Sequence, residues 1–397
     1  MDTVYNAHLT EYGVKPDIIA TAPGRFHLIG EHSWFFKDKT LSMAVNFPVY
    51  VAVSKRKDQT FHFYFKQFAD RKKTSLSSIK FKKEDNKWAN AIKSVIYGYT
   101  SGGYPISGCD ITVFSETLPS AGFGIKTAIK IALLIAFRSL FDIHCEDSKL
   151  LQIIERGNRI FLGQENYNAD NFAALYSQKG CMLVTDHDKN SYENIKIPFS
   201  DNTIFLVDLK VPRVHLWKEE TLFEPENALY LGDLKETTSR VFGGWQYVND
   251  VTDIDEMLSV VSKDTKRKLL CIIREHKDVL EAITALKKND FSRFMRAVNH
   301  SYESLRDLYN LSCPEIDWIL KRVAEIEPNL EYKREPVSCG RITGKGFGRC
   351  VYTILRGQDI QKFKEKLVEY EHVFDFHPTC YEVHSVDGAR IVSEQEL

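Results

Sequence analysis

Residues 118–128 limit most strongly which structures this chain can form, because small residues lie there directly before a long apolar run at residues 128–141. This order is typical of a loop that becomes a buried helix, whose first backbone N–H groups have no helical partner and can bind an anion. Loops that bind phosphates usually also carry hydroxyl groups next to Mg²⁺. Here Lys126 precedes a single hydroxyl, that of Thr127. The sequence therefore predicts a phosphate-binding loop with altered side chains.

The composition indicates a protein without a nucleic-acid or membrane partner. The 397 residues include 53 basic and 54 acidic side chains, so the charge balance gives no sign of a nucleic-acid surface. The N-terminus lacks a basic stretch followed by an apolar one. The apolar run at residues 128–137 contains a lysine and is too short to span a bilayer. We expect a cytoplasmic protein.

Hydrophobic periodicity predicts an α+β protein of two mixed lobes. β-branched and aromatic residues predict strands at residues 50–54, 60–65, 181–186 and 350–355. Helical spacing predicts helices at residues 88–97, 127–140, 266–287, 290–306, 315–326 and 359–370. The polar, turn-rich segment 189–202 is the best candidate for a boundary. We therefore expect an N-terminal lobe of residues 1–200 and a C-terminal lobe of residues 201–397.

Two further segments carry glycines at informative positions. Residues 21–32 (TAPGRFHLIGEH) place Pro23 and Gly24 before Arg25, and residues 340–350 (GRITGKGFGRC) place glycines at alternate positions before a strand. Glycines of this kind let a backbone approach a ligand closely. Taken singly, each segment is also compatible with ordinary structure, namely a turn followed by a strand or a tight hairpin.

In their order and spacing, the three segments resemble the three sequence motifs of the GHMP small-molecule kinases, and within these the galactokinases. TAPGRFHLIGEH resembles that family's APGRVNLIGEH, and GRITGKGFGRCV resembles its RMTGGGFGGCV. Similar segments elsewhere, at residues 87–90, 170–180, 304–317 and 387–389, extend the resemblance over nearly the whole chain. The resemblance implies an N-terminal lobe like ribosomal protein S5 domain 2 and a ferredoxin-like C-terminal lobe, with ATP and sugar between them.

The resemblance also implies catalytic and sugar-binding residues. Asp170 matches the aspartate that orients or deprotonates the sugar hydroxyl, and Arg25 matches an arginine that stabilises charge on the transferring phosphoryl group. A turn-forming aspartate and a structural ion pair are the respective alternatives. Glu31 and His32 match residues that hold sugar hydroxyls or the entry to the site. Trp34 replaces a carboxylate that binds two hydroxyls of galactose. Trp34 would instead stack on a sugar face or fill space, so a sugar other than galactose is a further candidate for the substrate.

The nucleotide and metal positions depart from the family pattern. The residues matched to ATP binding are Trp88, Ala121, Gly122, Phe123, Gly124, Lys126 and Thr127. Lys126 either contacts the phosphates or points to solvent, and Phe123 brings a bulky side chain to a place where phosphates approach the backbone. The family holds Mg²⁺ with a serine and a glutamate. The matching residues are Thr127 and Asn158, which leaves Thr127 as the one matched ligand for Mg²⁺. A sugar-contacting tyrosine of the family has no match in residues 215–220.

Together these matches imply a galactokinase-like kinase that transfers the γ-phosphoryl group of ATP to the anomeric hydroxyl of galactose or a related hexose. ATP and sugar are its implied small-molecule partners. Because ligands for metal and sugar are replaced, two alternatives stay open. One is a non-catalytic sensor of sugar or nucleotide that signals through a protein partner. The other is a kinase for another small alcohol.

Overall fold

The structure is a computed structural model that describes residues 2–33, 38–85, 87–117, 121–199, 201–212, 248, 252–254, 262–326, 335–344, 350–393 and 396. The predicted α+β class is confirmed, because two separate sheets are covered by helices. No helix in the described part of the chain is both long and apolar enough to span a membrane.

The first sheet has the strand order β12-β1-β2-β5-β3-β4, and β6 joins β2 to β7. Its strands are β1 (Ile18–Ile29), β2 (Lys39–Lys55), β3 (Thr60–Phe65), β4 (Asp70–Ser75), β5 (Cys109–Ser115), β6 (Cys181–Asp186), β7 (Ser191–Lys196) and β12 (Arg390–Ile391). The helices nearby in sequence are α1 (Asp2–Tyr12), α2 (Lys87–Ser101), α3 (Ile125–Leu140), α4 (Asp147–Arg156) and α5 (Asn168–Tyr176), and a π-helical turn (Gly157–Phe161) continues α4.

The second sheet has the strand order β11-β8-β10-β9. Its strands are β8 (Asn202–Asp208), β9 (Cys339–Ile342), β10 (Cys350–Arg356) and β11 (Thr379–Val383). The helices in this part of the chain are α6 (Lys263–Lys287), α7 (Phe291–Asp307), α8 (Pro314–Ala324) and α9 (Ile360–Phe374). All neighbours within this sheet are antiparallel.

The predicted elements recur in the structure because their local patterns are strong. In β3 every second residue is buried, with Phe61, Phe63 and Phe65 facing the core. Helix α3 begins within two residues of the predicted start and is buried from Thr127 to Leu134. The segment 189–202, predicted to be turn-rich, instead contains β7. The lobe boundary at residue 200 stays a prediction, and β12 returns from the end of the chain to the first sheet.

A shared core joins the two sheets. Phe26 and Leu28 of β1 belong to the same buried cluster as Leu206 of β8 and Tyr352 of β10. The Tyr352 hydroxyl donates to the backbone oxygen of Leu28 at 2.6 Å, so its one polar group is satisfied in the core. The first motif, which covers most of β1, is thereby packed directly against the second sheet.

A buried charge cluster reinforces this junction. The Arg341 guanidinium on β9 contacts Glu31 Oε1 at 2.6 Å and Glu275 Oε1 of α6 at 2.9 Å, and all three side chains are fully buried. Glu275 also accepts the backbone N–H of Gly30 at 2.7 Å and the hydroxyl of Ser301 on α7. The cluster therefore ties the end of β1 to β9, α6 and α7.

Removing the cation of this cluster should destabilise the protein strongly. We expect Arg341→Met to lower the free energy of unfolding by about 3–5 kcal/mol, because two carboxylates would stay buried without a counter-charge. Arg322→Met is the control, because Arg322 forms a partly exposed ion pair with Glu325, three residues further along the chain. Loss of this ion pair should lower the free energy of unfolding by at most about 1 kcal/mol. Urea unfolding of both variants measures the difference. Equal losses would contradict the role given to Arg341.

Candidate functional site

Arg25 and Asp170 form the centre of the site. Arg25 lies on β1 and Asp170 in the first turn of α5, and Arg25 Nη2 contacts Asp170 Oδ2 at 2.7 Å. The other end of the guanidinium donates from Nη1 to the backbone oxygen of Gly122 at 2.7 Å, and the backbone N–H of Arg25 donates to Phe123 O at 2.9 Å. The two predicted catalytic residues are thus brought together beside the predicted phosphate loop.

Two glycines of the loop allow this close approach. Gly124 has φ +67°, and a Cβ atom there would lie 2.6 Å from Arg25 Cζ. Gly122 has φ +78°, and its Cβ would lie 2.9 Å from the backbone nitrogen of Gly344. Any side chain at either position would therefore collide with a neighbouring motif. The loop contacts the first and the third glycine-containing segments, which the sequence resemblance had grouped together.

The loop opens α3 in a form suited to an anion. Gly124 is the N-cap residue and provides no side-chain cap, so the first backbone N–H groups of α3 can bind a ligand. Thr127 is buried and its hydroxyl donates to Asp170 Oδ2 at 3.3 Å. Lys126 is exposed in the first turn. Ala121 is buried at the start of the loop.

Phe123 does not extend over the loop. Its side chain is 2% exposed and packs between the rings of Phe26 and Phe47, with centroid distances of 6.0 and 5.3 Å. The predicted obstruction by this bulky residue is therefore relieved by burial, and only its backbone lines the loop. Trp88 is likewise buried, where it packs on Phe65 and donates from Nε1 to Asp70 Oδ2 at 3.1 Å. Its role in ATP binding stays a prediction.

His27 is a member of the site that the sequence interpretation missed. Residues 25 and 27 lie on the same face of β1 because side chains alternate along a strand, so His27 also reaches Asp170, with Nε2 at 2.8 Å from Oδ1. Ser42 lies directly opposite on β2, and its hydroxyl is 2.7 Å from His27 Nδ1. The signal was present in the first motif, which carries histidine where the family pattern APGRVNLIGEH has asparagine.

Burial lowers the pKa of His27, and the positive charge of Arg25 lowers it further. Asp170 acts in the opposite direction but does not cancel these two effects. The imidazole is therefore neutral at pH 7. A neutral ring carries one proton, and a carboxylate can only accept, so the hydrogen-bond network assigns that proton to Nε2 and makes Ser42 the donor to Nδ1. His27 thus adds a donor to Asp170 without adding a charge.

The predicted sugar-binding residues are only partly accounted for. Glu31 is fully buried with Oε1 on Arg341, while its Oε2 has no hydrogen-bond partner among the described residues. That oxygen is available to accept a hydroxyl. His32 is also buried, with Nε2 at 3.8 Å from Glu31 Oε1. Trp34 and the segment 215–220 lie outside the described residues. The sugar-binding roles stay predictions.

The residues matched to the metal site do not fit a divalent cation. Asn158 is buried on the π-helical turn, and its Oδ1 accepts from Lys130 Nζ at 2.6 Å. An ammonium so close to the position of the family's carboxylate ligand would repel Mg²⁺. The described residues contain no cluster of three or more histidine, cysteine or acidic residues that could hold a metal. Thr127 as a metal ligand stays a prediction, which the Lys130 charge disfavours. In the sequence, Lys130 is visible only as a lysine in the apolar run.

We expect His27 to be observed as the neutral Nε2–H tautomer at pH 7. The pKa of His27 is lower in the folded protein than the usual value of 6.5, which applies to the unfolded chain. As the pH falls below 6.5, His27 therefore gains a proton in the unfolded chain before it does so in the folded protein, and the free energy of unfolding decreases. The ¹⁵N shifts of the imidazole nitrogens measure the tautomer, and His27→Gln identifies the signal among the 12 histidines. His144→Gln, at an exposed position, should leave that signal in place. An imidazolium or an Nδ1–H form at pH 7 would contradict the assignment.

Known proteins are similar in sequence to nearly the whole chain. The galactokinase galactose-binding signature matches residues 6–55, which include β1, Arg25 and His27. A Treponema pallidum (strain Nichols) protein provisionally named as a galactokinase is 37% identical, over 99% of this chain and 97% of its own length. The galactokinase of Thermotoga neapolitana (strain ATCC 49049) is 28% identical, over 93% of this chain and 98% of its own.

Solved structures share the fold. The crystal structure of Lactococcus lactis galactokinase complexed with galactose superposes with a TM-score of 0.82 at 18% identity, covering 98% of this chain and 99% of the other. A mevalonate kinase superposes with a TM-score of 0.61 at 15% identity, covering 94% of this chain and 100% of the other. The match at 37% identity over nearly the full length of both proteins is decisive. The chain belongs to the galactokinase family.

Proposed function

We propose that this protein is a sugar kinase that transfers the γ-phosphoryl group of ATP to the anomeric hydroxyl of a hexose. The observation that carries the proposal is the 2.7 Å contact between Arg25 and Asp170 beside the uncapped N-terminus of α3. A helix N-terminus attracts phosphates, a carboxylate accepts the proton of a hydroxyl, and a guanidinium stabilises a phosphoryl group. These are the three elements that the reaction needs.

In this reaction Asp170 positions the nucleophile. Its carboxylate accepts a hydrogen bond from the anomeric hydroxyl and takes up the proton as the sugar oxygen attacks the γ-phosphorus. The bond between the γ-phosphorus and the β,γ-bridging oxygen breaks, and ADP leaves. Donors on Asp170 from Arg25, His27 and Thr127 fix the orientation of the carboxylate. Arg25 stabilises the charge on the transferring phosphoryl group.

Galactose is the first sugar to test. The support is the galactose-binding signature over residues 6–55 and the names of the related proteins. Glu31 Oε2 has no hydrogen-bond partner in the described part of the chain. It is suited to a sugar hydroxyl, because a buried carboxylate oxygen gains most from a hydrogen bond. Trp34, which replaces the family's carboxylate, is the reason to include other hexoses in the panel.

A sensor without catalysis is the second candidate. The observation that favours it is the replacement of the metal carboxylate by Asn158, whose oxygen is already engaged by Lys130. Such a protein would bind ATP and sugar in the same cleft without phosphoryl transfer.

The decisive experiment is ADP release from ATP with a panel of hexoses. We expect sugar-dependent turnover that Asp170→Asn lowers by about 10²–10⁴-fold, the contribution typical of a general base. Asp110→Asn is the matched control, because Asp110 is also paired with an arginine (Arg56, 2.9 Å) and a histidine (His62, 3.3 Å). It lies on β5, two strands from β1, opposite Ser54 of β2, whereas Arg25 lies opposite Ala44. This variant should keep near-normal turnover.

One outcome would count against the kinase, and another against the role of Asp170. If no hexose releases ADP while a sugar still raises the melting temperature, the sensor is supported instead. If turnover exists and survives Asp170→Asn, the kinase is retained but the role of Asp170 is wrong.

A further inference from the structure

Lys130 is a buried cation whose hydrogen-bond partner is a neutral amide. Its side chain lies on α3 with 7% of the residue exposed, and Nζ donates to Asn158 Oδ1 at 2.6 Å. An ammonium has three donors, and burying it is costly unless charge and hydrogen bonds compensate. Within the described residues no carboxylate forms an ion pair with Lys130. Lys93, a similarly buried lysine on α2, does form one, with Asp85.

Neutral amides hold Lys130 in place. Asn158 donates from Nδ2 to Asn166 Oδ1 at 2.8 Å, and Asn171 of α5 donates to the same oxygen at 3.2 Å. The chain of amides orients the ammonium but does not cancel its charge. Asn158 lies on the π-helical turn, an element that is often found at functional sites.

The ammonium belongs to the same charge environment as the site. Lys130 follows Thr127 by three residues on α3, so the two share a helical face, and Thr127 contacts Asp170. Burial lowers the pKa of Lys130 to about 8, with Asp170 opposing this shift and Lys126 and Arg25 adding to it. At pH 7 the group is therefore still protonated. A buried positive charge next to an anion-binding helix terminus is suited to an anionic ligand.

We propose that Lys130, oriented by Asn158, supplies the fixed positive charge that the phosphates of ATP require at the N-terminal end of α3, so that nucleotide binding depends little on Mg²⁺. The proposal rests on the proposed function only in that ATP occupies this site; it does not require turnover. It also explains why the residues at the metal position do not fit a divalent cation: the charge is already provided by the protein.

Calorimetric titration with ATP, in EDTA and in excess Mg²⁺, tests the proposal directly. For the unaltered protein we expect the two dissociation constants to agree within about threefold. Lys130→Met should weaken binding in EDTA by about 10- to 100-fold, the effect of losing one charge-assisted interaction, and less in Mg²⁺. Lys130→Arg should retain much of the Mg²⁺-independent binding. Lys93→Met is the matched control and should leave the ratio of the two constants unchanged.

A second variant tests the proposal independently, in case Lys130→Met does not fold. Asn158→Glu keeps the lysine but pairs it with a carboxylate, so it should also raise the Mg²⁺ dependence. The proposal is overturned if the unaltered protein binds ATP only with Mg²⁺, if neither constant can be measured because ATP does not bind, or if both variants leave the ratio unchanged. Mg²⁺-independent ATP binding without hexose phosphorylation would support this inference while the proposed kinase activity fails.

Discussion

The buried contacts of Arg341 determine how the parts of the site are arranged. This guanidinium joins Glu31, just after β1, to Glu275 of α6, with no exposed surface on any of the three side chains. Buried opposite charges are costly to separate once folding has removed them from water. The end of the first motif and the start of the third are therefore held together, and Gly344, two residues after β9, meets Gly122 of the phosphate loop. The arrangement of the site depends on this junction.

At the site, the alternation of side chains along β1 determines which of them contact Asp170. Arg25 and His27 share one face of β1, and both contact Asp170, whereas Phe26 points to the opposite face and into the core. One contact is charged and the other is neutral, because burial keeps His27 unprotonated. The carboxylate is thus fixed in direction by donors from Arg25, His27 and Thr127, and of these three side chains Arg25 carries the positive charge. Such preorganised donors and charges account for much of the rate enhancement in many enzymes.

Positive charge near phosphates can come from a bound cation or from the protein itself. A fixed ammonium such as that of Lys130 needs no separate binding step, but its desolvation weakens the folded state. The amide chain through Asn158 offsets part of that cost while it preserves the charge. The asparagine at residue 158, in place of the family's metal-binding carboxylate, is then coupled to the lysine at residue 130, because a carboxylate at residue 158 would neutralise Lys130.

The sequence by itself determined the α+β class, the β3 strand and the α3 helix, because local periodicity carries that information. Its resemblance to the galactokinases made Arg25 and Asp170 candidate residues, each on its own. Only the tertiary structure decided three other features. His27 reaches Asp170 across 143 residues, Glu31 reaches Arg341 across 310, and Phe123 turns into the core. These contacts depend on the register of β1 against β2 and on the packing of the two sheets, which no local pattern encodes.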